Sequence, residues 1–85
     1  MPKVNIRPEC LRPADEGWIE PTGEEVRAVL VAAGFSGGQA ARILGLGPQG
    51  NRSVRRWAGV DGGIPYAAWA LLCDFAGQGQ IWKKT

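Results

Sequence analysis

An 85-residue chain has room for one domain with a modest core and little stability to spare. Its apolar fraction of 45% against 21% charged residues excludes a disordered chain. Two cysteines and no histidine exclude a four-ligand zinc site of the usual kind. The net charge of +2 is unevenly spread. Residues 1–25 hold Lys3, Arg7 and Arg12 against Glu9, Asp15, Glu16, Glu20, Glu24 and Glu25, a net of −3. Residues 26–60 hold Arg27, Arg42, Arg52, Arg55 and Arg56 and no acid, a net of +5. Residues 61–85 balance Asp61 and Asp74 against Lys83 and Lys84. A basic middle is the footprint expected of a polyanion-binding face.

Pro2, Pro8, Pro13 and Pro21 leave no helical or strand period in residues 1–21. This stretch reads as an extended N-terminal arm. Within it Val4 and Ile6 suit a short edge strand, and Trp18 and Ile19 are placed to pack on the body. The first ten residues, MPKVNIRPEC, carry no apolar core of signal-peptide length. No apolar run reaches the roughly 18–20 residues that span a bilayer. The expectation is a cytoplasmic protein with Cys10 and Cys73 as free thiols, Cys73 as a small core residue.

Thr22 with Glu25 forms a capping-box pattern that opens a first helix. Val26, Val29, Leu30 and Ala33 then make one apolar stripe, and Gly34 stops it. Ser36 with Gln39 is a second capping box, with Phe35 and Ala40 at staple positions. Ala40, Ala41, Ile43 and Leu44 supply the buried face of that second helix, and Gly45 ends it. A third helix is expected from about residue 50 to 58, with Asn51 as a good N-cap. With Val54 at zero, Trp57 falls at about 300° and Ala58 at about 40°, the inner face. Arg52 and Arg56 fall opposite, at about 160° and 200°, with Arg55 and Ser53 on the flanks. Pro65 opens a fourth helix, PYAAWALLCDFAG, whose one charge is Asp74. A helix so apolar is central to a domain or part of an interface. Ile81 and Trp82 end the chain in a short tail, residues 80–85, suited to an edge strand.

Gly45, Gly47 and Gly50 spell G-x-G-x-x-G. A dinucleotide fingerprint needs a preceding strand and a βαβ unit. Here a capped helix precedes, so the glycines serve turn geometry. With no histidine and no acid cluster inside an apolar run, catalysis is not expected. A helix, a glycine turn carrying Leu46, and a helix with outward arginines is the helix-turn-helix arrangement.

The segment FSGGQAARILGL resembles the first half of the Cro/phage-repressor type of helix-turn-helix. SVRRW resembles the end of its recognition helix, and IPYAAWALLC the Pro-led helix that follows. The likeness spans residues 24–77. It extends loosely to small autoregulators of phages and mobile elements, including anti-CRISPR-associated repressors. One departure is the GPQGN insertion, which separates Leu46 from Val54 by eight positions and lengthens the turn beyond the family's usual spacing. The resemblance implies an all-α, lambda-repressor-like domain over residues 22–79 that binds double-stranded DNA as a repressor, without a cofactor.

The same resemblance puts Gln39 on a phosphate. Arg52 and Arg56 suit guanine edges, Arg55 suits phosphate, and Arg42 serves phosphate or a solvated face. Asn51 or Gln49 reads adenine unless Asn51 caps the helix, and Ser53 completes the set. A homodimer on a palindromic operator would double affinity and sequence information. Trp69, Leu72, Ile81 and Trp82 are the expected seam. Two other readings stand beside this one: an antitoxin-type module whose arm binds a protein partner, and an RNA-binding protein.

Overall fold

A computed structural model describes residues 6–60 and 62–83. Four α-helices follow a short 3-10 turn at Pro8–Leu11: α1 Gly23–Ala33, α2 Gly37–Ile43, α3 Gly50–Trp57 and α4 Tyr66–Phe75. The described residues contain no strand. The all-helical expectation holds. Of the two forms open to the C-terminal tail, an edge strand is absent among its described residues, where Ile81 and Trp82 lie in a turn. Val4 lies outside the described residues, so an N-terminal strand involving it does too.

Both capping boxes form as the sequence implies. Thr22 accepts from the Glu25 N–H while the Glu25 carboxylate accepts from the Thr22 N–H. Ser36 and Gln39 do the same at α2. Each box satisfies two of the donors that a helix start leaves unpaired. α3 lacks such a cap. Its N-cap is Gln49, with no side-chain bond, and Asn51 sits one position inside the helix. The expected Asn51 cap is therefore replaced by a turn, in which the Gly50 N–H donates to the Gly47 carbonyl at 3.0 Å. α4 begins one residue later than expected, with Pro65 as its N-cap.

The chain packs α2 against α3 and α1 against α4. Val26, Val29, Leu30, Ala40, Ala41, Val54, Trp57, Ile64, Trp69, Ala70, Leu72 and Cys73 form one buried cluster, joined by Cys10 and Ile81. Ile43 departs from its expected inner position and is exposed. Only Ala40 and Ala41 of α2 are fully inside, which lets α3 approach closely.

Over its described part, residues 6–21, the N-terminal segment is not a free extended arm. Its 3-10 turn puts Cys10 in the core with no exposed surface. The Cys10 carbonyl accepts two indole N–H groups, from Trp69 at 2.7 Å and Trp18 at 3.0 Å. Trp18 also meets Tyr66 edge-on at 5.0 Å, and the Tyr66 hydroxyl donates to the Arg12 carbonyl. Pro8, Pro13 and Pro21 removed helical period from this stretch, but they did not prevent docking. Ile19, expected to pack, is exposed instead. Both cysteines are free and buried.

Candidate nucleic-acid interface

The α2–α3 pair is built around a close approach. Gly45 takes φ +69° just past α2, a left-handed conformation that costs a Cβ-bearing residue. The Leu46 N–H then donates to the Ala41 carbonyl and the Gly45 N–H to the Arg42 carbonyl. This closure turns the chain off the helix and covers its last carbonyls. Gly50, buried at the start of α3, lies against both Leu46 and Ala41.

α3 then presents two faces. Val54 and Trp57 are buried, and Arg52, Arg55 and Arg56 are exposed, as the helical wheel requires. Arg42 is exposed in the last turn of α2. Among the described residues none of these four guanidiniums is paired with a carboxylate. Their charge is available to an outside anion. Ser53 is half-buried on the flank.

The three remaining candidates differ in how free they are. Gln49 is exposed and makes no capping bond. Gln39 uses its side-chain oxygen on the Ser36 N–H at 2.9 Å, which leaves its amide NH2 outward-capable as a donor. Asn51 is exposed, but its Oδ1 lies over the first turn of α2, 2.8 Å from where a Cβ on Gly37 would sit.

The fifth arginine of the basic segment behaves differently. Arg27, on α1, donates through Nη1 to the Ala58 carbonyl at the end of α3. Its charge is therefore directed at a helix terminus. Sequence position alone counted it with the basic face.

α1 is anchored by a cluster that the sequence did not announce. The Glu25 carboxylate, 8% exposed, accepts from the Arg7 side chain, the Arg7 backbone N–H at 3.0 Å and the Thr22 N–H at 2.8 Å. Burial pushes this carboxyl up, but these donors outweigh it and hold it down at about 2. The Cys10 thiol donates to the same carboxylate. Burial, reinforced by that negative charge, pushes the thiol up to about 11. Burial pushes Cys73 up to about 12, with Cys10 adding to it. The capping box pointed to Glu25, but Arg7 lies 18 positions away and carried no local signal.

The expected dimer seam needs correction. Trp69 and Leu72 have no exposed surface and Ile81 has 7%, because all three fill the chain's own core. Of the four, Trp82 alone offers substantial surface, at 39%. The outer side of α4 is made by Leu71 and Phe75, and Phe75 packs edge-on against Phe35 at 5.3 Å. Tyr66, Ala67, Ala70, Leu71 and Trp82 line a shallow apolar groove there.

The four helices of the described residues have a layout compatible with the helix-turn-helix class. No family model and no solved structure matches the chain. Two curated relatives do, both named transcriptional repressor protein KorC, from Escherichia coli. One is 69% identical over 83 residues, covering 98% of this chain and 96% of the relative. The other is 66% identical over 82 residues, covering 96% and 95%. The chain belongs to the KorC family of transcriptional repressors. None of the described helices is long and apolar enough to cross a membrane.

Proposed function

We propose that this protein is a repressor that binds double-stranded DNA sequence-specifically, with α3 in the major groove. The observation that carries this reading is the arginine face of α3, exposed opposite Val54 and Trp57 and, among the described residues, without a carboxylate partner. The names of its relatives point the same way. Arg52 and Arg56 are proposed to read guanine edges through their two-pronged donors. Arg55 and Arg42 are assigned to phosphates, with Gln39 donating from the first turn of α2. Gln49, at the tip of the turn, is favoured over Asn51 for adenine, because Asn51 rests on Gly37. Ser53 is placed at the groove wall.

One such helix carries too few side chains to specify a site alone. The protein is proposed to act as a two-fold homodimer on an inverted repeat, with half-sites about 34–36 Å apart. The seam is assigned to Leu71, Phe75 and Trp82, the exposed apolar side chains of α4 and the tail. The cognate site is proposed to lie at its own promoter or a neighbouring one.

The test is selection from a pool of random duplexes, followed by affinity measurement at fixed salt. Enrichment of an inverted repeat, bound about 10³-fold or more above random duplex, is the expected result. No enrichment, or tighter binding of an RNA hairpin in salt-matched competition, would reject it.

A further inference from the structure

Three helices end alike. After α1, α2 and α4 stand Gly34, Gly45 and Gly77, all with positive φ. The next residue's N–H reaches back to the last turn in each case: Phe35 to Leu30, Leu46 to Ala41 and Gln78 to Cys73. α3 has no such closure. Its C-cap Ala58 has φ −84° and ψ −3°, and Gly59 does not adopt positive φ. The Gly59 N–H still donates to the Arg56 carbonyl at 3.1 Å, but the Val60 N–H does not reach back to Arg55, the position matching Leu30, Ala41 and Cys73.

α1 supplies a different contact at this end. Arg27 donates to the Ala58 carbonyl, and a cation at a helix C-terminus also opposes the helix dipole. The first turn of α1 is pressed on the same point. A Cβ on Gly23 would come 2.8 Å from the Ala58 oxygen, so only glycine admits this approach. α1 is itself anchored three residues into its first turn by Glu25 and Arg7.

Resting on the DNA-binding reading above, we propose that Arg27 is a positioning residue for the reading helix. It fastens the C-terminal end of α3 to α1 and so sets the angle at which Arg52, Arg55 and Arg56 are presented. It does not contact DNA itself.

The experiment compares wild type, Arg27→Met and Arg27→Lys in the full chain. Amide hydrogen exchange is read at Trp57, Ala58 and Gly59 in the free protein. Affinities for the selected duplex and for random duplex are read across a salt series. For Arg27→Met the last-turn amides should exchange about tenfold faster while those of α2 are unchanged. Discrimination between the duplexes should fall by about the same factor with the salt slope intact. Arg27→Lys, which keeps the cation and a donor, should recover most of both. Unchanged exchange in Arg27→Met overturns the proposal. So does an equal loss on both duplexes with a salt slope lower by about one, the mark of a phosphate contact. If wild type selects no duplex, the DNA-binding reading fails, and the exchange measurement still decides whether Arg27 holds α3. Should Arg27→Met not fold, Arg27→Gln, which removes the cation, carries the comparison, and last-turn exchange unchanged from wild type in that variant overturns the proposal.

Discussion

Gly50 lies over Ala41 so closely that a Cβ on the glycine would come 2.9 Å from that of the alanine, and 2.5 Å from that of Leu46. Neither neighbour is the loose end of a flexible side chain, so a substituent at Gly50 must push α3 away from α2. Gly50→Ala is expected to destabilise the protein by about 1–3 kcal/mol. Gly50→Val should cost more and weaken DNA binding beyond its stability loss. Urea titration of both variants checks the first statement, and an unchanged midpoint for Gly50→Ala would mean that the contact is looser than described.

The four arginines of α2 and α3 separate by assay. Arg52→Ala and Arg56→Ala should each reduce discrimination between selected and random duplex by about 1–3 kcal/mol. Arg55→Ala and Arg42→Ala should weaken both duplexes alike and lower the salt slope by about one. Fluorescence anisotropy across a salt series distinguishes the patterns. Intact discrimination in both of the first two variants would remove α3 from the groove.

Glu25 makes stability pH-dependent in a defined direction. Its carboxyl is held at about 2 in the folded chain, below the usual 4.5. Its contribution is therefore complete above pH 4.5 and is lost as the pH falls toward 2. The Arg7 partner is half-exposed, so solvent screening reduces what the pair contributes. Glu25→Gln is expected to cost on the order of 1–2 kcal/mol at neutral pH. It should also flatten the stability curve between pH 4.5 and 2, the interval of the shifted carboxyl. Denaturant melts at several pH values test this, and parallel curves for variant and wild type would count against it.

The thiols should be silent in the folded state. Cys10 and Cys73 are fully buried and pushed up to about 11 and 12. At pH 8 a thiol-titrating reagent should find neither in the native protein and both in denaturant. Rapid native labelling would show that the N-terminal segment leaves the core readily.

The outer and inner sides of α4 should respond oppositely to substitution. Leu72→Ala, inside the core, is expected to lose about 2–5 kcal/mol of stability. Leu71→Glu, on an exposed position, should leave the fold near its original stability, while Phe75→Glu also gives up its contact with Phe35 at about 0.5–1.5 kcal/mol, and both should lower the association state. Sedimentation equilibrium reads the second effect. A dimer that survives both changes would place the seam elsewhere.

What the sequence determined by itself was local. Thr22 with Glu25, and Ser36 with Gln39, place α1 and α2 because a capping box joins groups three residues apart. Gly34 and Gly45 end those helices because only glycine enters the left-handed region cheaply. The inward Val54 and Trp57 and the outward Arg52 and Arg56 follow from 100° per residue. The tertiary structure decided what lies between distant residues. It docked residues 6–21 through Cys10, turned Arg27 onto Ala58, laid Asn51 over Gly37 and buried Trp69 and Leu72 in the chain's own core. No periodicity carries these contacts, because each depends on how two helices meet in space. The lengthened turn before α3 belongs to the same class: GPQGN marks it in the sequence, but the close packing of Gly50 on Ala41 settles where α3 begins.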